Sequence, residues 1–256
     1  MIATLNIGNT HLLFGIWQQE KLIFRCTIST NLNRTQDEYA VQLESMLSLH
    51  HVDSKMVTGG IISSVVPVLT PRLKQALEQV FSTKFLIVEP GIKTGLSIRI
   101  DSPTQLGSEL VCAAVAALNS FSGALIVIHM DTAISITAIN AQKQLLGGAI
   151  FAGPHISLEA LVQKTAQLSQ VDLEVCPSKV IGTNTVSSMQ SGFILGTACM
   201  LDGMLQRFQQ ELAEPATIIS TGKIPSCILQ ACNCKIHYHE NLILKGLLLI
   251  YKKNMG

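Results

Sequence analysis

One order of segments occurs twice in this chain: three short β-prone runs, then helical and strand patterns in alternation, first from residue 2 and again from residue 124. In the first half, residues 2–7 and 12–17 flank Gly8-Asn9-Thr10-His11, which reads as a hairpin, and a third strand follows at 22–28. Thr35-Gln36-Asp37-Glu38 has capping-box spacing and predicts a helix to about His50. Then come a strand at Val57–Val66, a helix capped by Thr70-Pro71 and ending near Phe81, a short strand at Phe85–Val88, a turn at Lys93-Thr94-Gly95-Leu96 and an apolar helix at Gln105–Phe121.

The second half repeats the plan. It has strands at 124–129, 133–140 and 144–150, helices at about 157–168 and 185–212, and a strand at 216–220. A short helix from 224, a strand near 234–237 and a last helix from Glu240 complete it. No sequence identity links the halves, so the repeat is architectural. It implies an α/β fold of two similar lobes, 1–121 and 122–256, each a mixed sheet flanked by helices, with a ligand expected in the cleft between them.

Composition narrows the partners. A hydrophobic share of 48% with only 14% charged residues implies a generous core and a sparsely charged surface, which fits a homodimer. The net charge of +1, with no basic stripe interleaved with aromatics, argues against nucleic acid. No apolar run reaches the roughly 20 residues of a membrane span; Leu242–Tyr251 is short and interrupted by Lys245. The opening MIATLNIGNT has no basic n-region, so a secretory signal is not expected. Seven cysteines without framework spacing suit a reducing cytosol, and a cytoplasmic protein is expected.

The first candidate for chemistry is the turn at Gly8-Asn9-Thr10. Glycine admits an anion to the backbone N–H groups, and Asn9 and Thr10 add side-chain donors. An ordinary hairpin turn is the alternative. Cys232, Cys234, His237 and His239 form a C-x-C…H-x-H group. Its cysteine spacing is shorter than that of structural zinc sites, so four residues without a metal are expected there. Cys112 lies three residues after Glu109 without a basic neighbour and does not read as a nucleophile.

Asn6-Ile7-Gly8-Asn9-Thr10 resembles the Asp-x-Gly-Asn-Thr phosphate motif of type III pantothenate kinases, within the superfamily of sugar kinases, heat-shock chaperone ATPases and actin. Further matching segments follow in order: Ser64-Val65-Val66-Pro67, Lys93-Thr94-Gly95-Leu96, Gly147-Gly148-Ala149-Ile150 with Gly153, Thr185 with Ser188 to Gly192, Thr221-Gly222, and Asn241-Leu242 with Gly246-Leu247. The resemblance covers nearly the whole chain. It implies two ribonuclease-H-like lobes, dimers, and transfer of the γ-phosphoryl of ATP to the primary hydroxyl of pantothenate, the first step toward coenzyme A. It also implies Mg²⁺ with ATP and an activating K⁺ or NH₄⁺.

Carried over position by position, the resemblance assigns Asn6, Ile7, Gly8, Asn9, Thr10, His11, Leu12, Leu13, Thr132, Thr221 and Gly222 to ATP. It assigns Ile100, Gly107, Ser108, Glu109, Leu110 and Thr185 to the acceptor, with Glu109 as general base. The site departs from the family pattern at several of these. Asn6 stands where the family has an aspartate facing Mg²⁺ and phosphate; its carbonyl can orient a water but carries no charge. Gly107-Ser108-Glu109-Leu110 replaces Gly-Ala-Asp-Arg: the acid–base type survives one methylene longer, and the forked cation is lost. Ile100 replaces a tyrosine. His129 stands at the monovalent-cation aspartate. Asp131 stands at a glycine, where, on the same strand face as 129, it could supply the missing carboxylate. Lys223 follows Thr221-Gly222 where a second glycine is usual. Two functions are therefore open: a pantothenate kinase with an altered site, or an inactive homologue that binds a ligand or a partner protein. A shifted, more apolar acceptor is a third possibility.

Overall fold

Asn6 and Ser63 sit side by side on parallel strands, and the first sheet is built outward from that pair. In the computed structural model, which describes residues 1–223 and 225–255, strand β1 (Ile2–Ile7) pairs antiparallel with β2 (His11–Gln18) and parallel with β4 (Gly59–Ser64). Strands β3 (Lys21–Ser29) and β5 (Phe85–Ile87) complete the order β3-β2-β1-β4-β5. Side chains alternate across a strand, so β1 divides its residues cleanly. Ala3, Leu5 and Ile7 join the core under α1 (Gln36–Leu49) and α2 (Thr70–Phe81). Thr4 and Asn6 face the other way, toward the side where the C-terminal helix α8 (Leu242–Met255) packs on β1, β2 and β4.

Local signals explain the helix ends. Thr35 caps α1 through a complete capping box with Glu38. Thr70, expected to cap α2, is instead its first residue, and Leu69 occupies the cap without a side-chain bond. The Thr70 hydroxyl is drawn away to Ser64 Oγ at 2.7 Å.

The second sheet repeats the plan. Strands β7 (Ala124–Met130), β8 (Ala133–Ile139), β9 (Gln144–Ala152), β10 (Ala216–Gly222) and β11 (His237–Tyr238) run in the order β11-β10-β7-β8-β9, the same 5-4-1-2-3 pattern as in the first sheet. One strand was not expected: β6 (Ser97–Ile98), two residues long, adds parallel to β9. Helices α4 (Pro154–Lys164), α5 (Thr185–Gln190), α6 (Gly196–Leu212) and α7 (Ser226–Ala231) belong to this half. A wide π turn at Ser191–Leu195 joins α5 to α6, so the run expected from 185 to 212 is continuous. Ile126, Ile128 and Met130 pack with Leu201 and Leu205 of α6, which leaves His129 on the opposite face of β7.

The chain divides into two compact units. Residues Met1–Leu96 and Asp101–Ala116 form the first with the segment from Asn241, and Ser97–Ile100 and Ala117–Glu240 form the second. The helix α3 (Ser108–Ser120) thus begins in the first unit. Sequence order puts one boundary after residue 121; by packing, the segment from Asn241 belongs with the first unit. Smaller differences are local. The strand expected at 57–66 is trimmed to Gly59–Ser64, behind a short 3₁₀ turn at Ser54–Met56. The strand expected at 234–237 lies at His237–Tyr238. The helix expected from 224 begins at Ser226, and Ile224 itself lies outside the described residues. Among the described residues, no helix is long and apolar enough to cross a membrane.

The cysteines hold one surprise against the expectation of an unpaired set: Cys176 and Cys227 are disulfide-bonded, with Cα atoms 5.3 Å apart. They are 51 residues apart in sequence and meet because the irregular chain before α5 returns to the start of α7. Spacing alone carries no trace of such a pairing.

Candidate functional site

In the first unit the site gathers at the carboxyl ends of β1 and β4. Asn6 and Ser63 are register partners on the face that α8 covers, and both are buried. Asn6 Oδ1 is buried with no hydrogen-bond partner among the described residues, an acceptor at the strand end beside the Gly8 turn. A buried amide carbonyl left without a donor carries a desolvation penalty of roughly 1–3 kcal/mol, so its survival argues for something that satisfies it during function. A metal-bound water fits that oxygen; a direct charged ligand it is not.

The turn itself is closed by Gly8 N donating to the His11 carbonyl at 3.0 Å. Thr30, the residue after β3, braces it, its hydroxyl donating to Gly8 O at 2.7 Å and its N–H to Thr10 O at 2.9 Å. Asn9 and Thr10 are exposed at the tip, His11 and Leu13 half-buried. Ile7 and Leu12 point into the core, so any approach of theirs to a ligand runs through the backbone.

Glu109 arrives at the same strand ends from α3. Ser108, one residue before it, hydrogen-bonds Ser63 Oγ at 2.8 Å, Ser64 N at 3.0 Å and Ser64 O at 3.0 Å. Ser64 Oγ in turn accepts from Val66 N at 3.0 Å and from the Thr70 hydroxyl. Buried Cys112, one turn along α3, meets Ser63 and lies in the field of Glu109; burial raises its thiol far above the ordinary range, Ser63 partly offsets this, and Glu109 adds to it. The thiol is therefore inert at neutral pH. Gly107 and Leu110 are half-buried beside Val65. This hydroxyl chain of Ser63, Ser64, Thr70 and Ser108 escapes a motif reading; its signal is the polar Ser63-Ser64 pair closing an otherwise apolar strand.

In the second unit, His129 is a buried residue of β7, flanked in register by Ser135 on β8 and Thr221 on β10. Imidazole nitrogen is a poor donor to K⁺, which favours oxygen, so His129 does not fit the monovalent-cation role. Asp131 is not on the strand: β7 ends at Met130, and Asp131-Thr132 form the turn to β8, with Asp131 N donating to Ala133 O at 2.9 Å. Strand alternation therefore does not place its carboxylate beside His129. Behind this turn, Gly153 N donates to Thr132 O at 2.9 Å, and a β-carbon on Gly153 would collide with the Asp131 and Thr132 carbonyls. Thr221 is buried, and Gly222 follows it with φ +104 against the Met130 backbone, its carbonyl accepting from the Tyr238 hydroxyl at 3.0 Å. Ile100 is half-buried beyond β6. Thr185 is the exposed first residue of α5, after an Asn184 cap that pairs reciprocally with Ser187.

The C-x-C…H-x-H residues divide. Cys234 Sγ contacts Asp202 Oδ1 at 3.3 Å, whereas His237 and His239 pack their rings on Phe121. Burial and the Asp202 carboxylate push the thiols up, Cys232 to about 12 and Cys234 to about 11.

A family model for type III pantothenate kinase matches residues 2–207. The type III pantothenate kinase of an Exiguobacterium species is 35% identical over 254 residues, covering 99% of each chain. That of Brevibacillus brevis is 34% identical over 256 residues and covers all of both. Component A of the (R)-2-hydroxyglutaryl-CoA dehydratase of Acidaminococcus fermentans shares the fold at a TM-score of 0.54 and 12% identity, with 100% of each chain covered. The architecture, the ordered motifs and identity across the full length agree, and the chain belongs to the type III pantothenate kinase family.

Proposed function

We propose that this protein transfers the γ-phosphoryl group of ATP to the primary hydroxyl of pantothenate, giving 4′-phosphopantothenate. The observation that carries this reading is the fastening of the start of α3, the helix that carries Glu109, to the end of β4 beside Asn6, whose side-chain oxygen is a buried acceptor without a partner among the described residues. Phosphoryl transfer asks for positioning, charge neutralisation and a group to take the hydroxyl proton. Glu109 accepts that proton. Asn6 would accept from a water of a bound metal, and the Gly8-Asn9-Thr10 turn and Thr132 donate to phosphate. Thr221-Gly222 lies against the adenosine, in a turn that the missing side chain of Gly222 lets close on the Met130 backbone. Ile7, His11, Leu12 and Leu13 border the phosphates through backbone. Gly107, Leu110, Ile100 and Thr185 line the acceptor, with apolar contact where the family has a cation and a phenol.

Magnesium entering with ATP would offset phosphate charge, and Asn6 would hold it through a water. Monovalent activation, by K⁺ or NH₄⁺, is expected to be weak, because His129 offers nitrogen in place of carboxylate. A homodimer is supported by the outward face of β9, where Ile150 is 74% exposed and Leu146 41%, and by the exposure of Ile156 on α4. Apolar side chains so exposed on a strand gain by pairing with a second copy. We place the protein in the cytoplasm, where ATP is available.

The test is mass-spectrometric detection of phosphopantothenate made by the purified protein with ATP, Mg²⁺ and pantothenate, with and without K⁺ or NH₄⁺. A turnover that falls by about 100- to 10,000-fold in Glu109→Gln, leaving a residual rate that mass spectrometry can still read, is the expected result. A folded dimer that makes no product would leave a binding homologue as the function. An Asp131→Asn variant with unchanged Mg²⁺-dependent nucleotide affinity would remove Asp131 as a substitute metal carboxylate.

A further inference from the structure

The hydroxyl of Ser108 is saturated inside the protein. It donates to Ser64 O, which leaves Ser63 Oγ and Ser64 N as the donors of the two bonds it accepts. One donor and two acceptor lone pairs are the whole capacity of a serine hydroxyl. Nothing of the hydroxyl remains with which Ser108 could bind substrate.

What the three bonds do is mechanical. They fasten the first residue of α3 to both backbone groups of Ser64, the last residue of β4. Ser64 is itself braced by Val66 N and the Thr70 hydroxyl, so the anchor extends to the first turn of α2. Ser63, the other partner, is in register with Asn6. Glu109 follows Ser108 directly and has three side-chain torsions of its own, so the origin of its carboxylate relative to Asn6 is set by the turn that Ser108 holds.

We infer that Ser108 is a positioning residue for Glu109, acting through the helix turn and making no contact with the acceptor. This rests on the reading of Glu109 as general base. A misplacement of about 1 Å at a reacting group costs on the order of a hundredfold in rate. Ser108→Ala is therefore expected to lower kcat by about 10- to 100-fold while KM for ATP and for pantothenate stay within about twofold. Ser108→Thr, which keeps the hydroxyl, should recover most of that loss.

The decisive experiment is a double-mutant cycle on kcat, read as phosphopantothenate by mass spectrometry, with Ser108→Ala made in the wild type and in Glu109→Gln. If Ser108 acts only through Glu109, its removal has little further effect once the carboxylate is gone. An undiminished cost in the Glu109→Gln background, a raised KM for pantothenate, or an active wild type whose Ser108→Ala variant keeps its kcat would each overturn the inference and leave the kinase reading intact. A wild type that makes no product would instead overturn the kinase reading and this inference with it. Should Ser108→Ala not fold, Ser63→Ala removes one of the three bonds and is expected to give a smaller fall in kcat; no fall would overturn the inference.

Discussion

Gly246 of α8 lies against the backbone of Cys112 in α3: a β-carbon on Gly246 would overlap the Cys112 carbonyl oxygen. The helix that carries Glu109 is thus pinned twice, by Ser108 at its first residue and by α8 one turn later. Family-motif glycines are often credited with flexibility; this one allows two helices to touch.

Gly246→Ala should therefore destabilise the fold by about 1–3 kcal/mol, since neither backbone can yield. Gly203 in α6 is the control, because a β-carbon there meets nothing within 4 Å. Gly203→Ala should stabilise by about 0.4–1 kcal/mol through a less flexible unfolded chain. Urea midpoints of the two variants moving in the same direction would contradict this account.

Gly222, in the turn proposed to meet the nucleotide, presents the same exclusion. Its φ of +104 disfavours any side chain, and a β-carbon would strike the Met130 carbonyl. Gly222→Ala must move β10 away from the end of β7, where the Asp131-Thr132 turn begins. An ATP affinity at least about tenfold weaker, equivalent to about 1.4 kcal/mol, is expected by calorimetric titration. Unchanged affinity would detach this turn from the adenosine.

Much of the architecture was legible because hydrophobic period and turn chemistry agree locally, as at the Gly8-Asn9-Thr10 hairpin and the Thr35 capping box. The duplicated strand order was legible for the same reason. What escaped depends on partners distant in sequence. β6 has two residues and exists only because β9 offers an edge, and the segment from Asn241 joins strands more than 170 residues earlier. Within the site, residue types could be read against a family pattern, but not the direction each side chain takes. Ser108 reads as an acceptor contact in sequence, yet all three of its bonds go to β4. Asp131 reads as a strand residue, yet β7 ends one residue before it.

The capping box of α1 makes a pH prediction. Hydrogen bonds from Thr35 N–H and its hydroxyl hold the Glu38 carboxyl below its ordinary value of 4.5. A carboxyl depressed in the folded state stabilises fully above its unfolded pKa and loses that contribution as pH falls through the folded one. Glu38→Gln should thus lower the melting temperature at about pH 7 and have progressively less effect toward about pH 3. A difference that grows on acidification would reverse the assigned sign. Because Glu38 is exposed, added salt should shrink its charged component.

The disulfide makes the last prediction. Cys176 is exposed in the irregular chain before α5, and Cys227 is buried at the start of α7, the helix that follows Thr221-Gly222. Cross-links over loops of this length typically contribute about 2–4 kcal/mol, mainly by restricting the unfolded chain. A disulfide is unusual in a reducing compartment, and the exposure of Cys176 gives a dithiol access to the bond. The oxidised protein should therefore melt at a higher temperature than the same protein in a dithiol reductant, whereas Cys176→Ser should melt at one temperature in both. Peptide mapping without reductant should recover residues 176 and 227 in one linked fragment. Equal melting of the wild type with and without reductant, its bond verified by mapping, would mean that the bond constrains nothing that unfolding releases. Tied and free, the segment leading to Thr185 would then be equally ordered, held by Leu173 in the core and by the Ser191 hydroxyl on Val180 O.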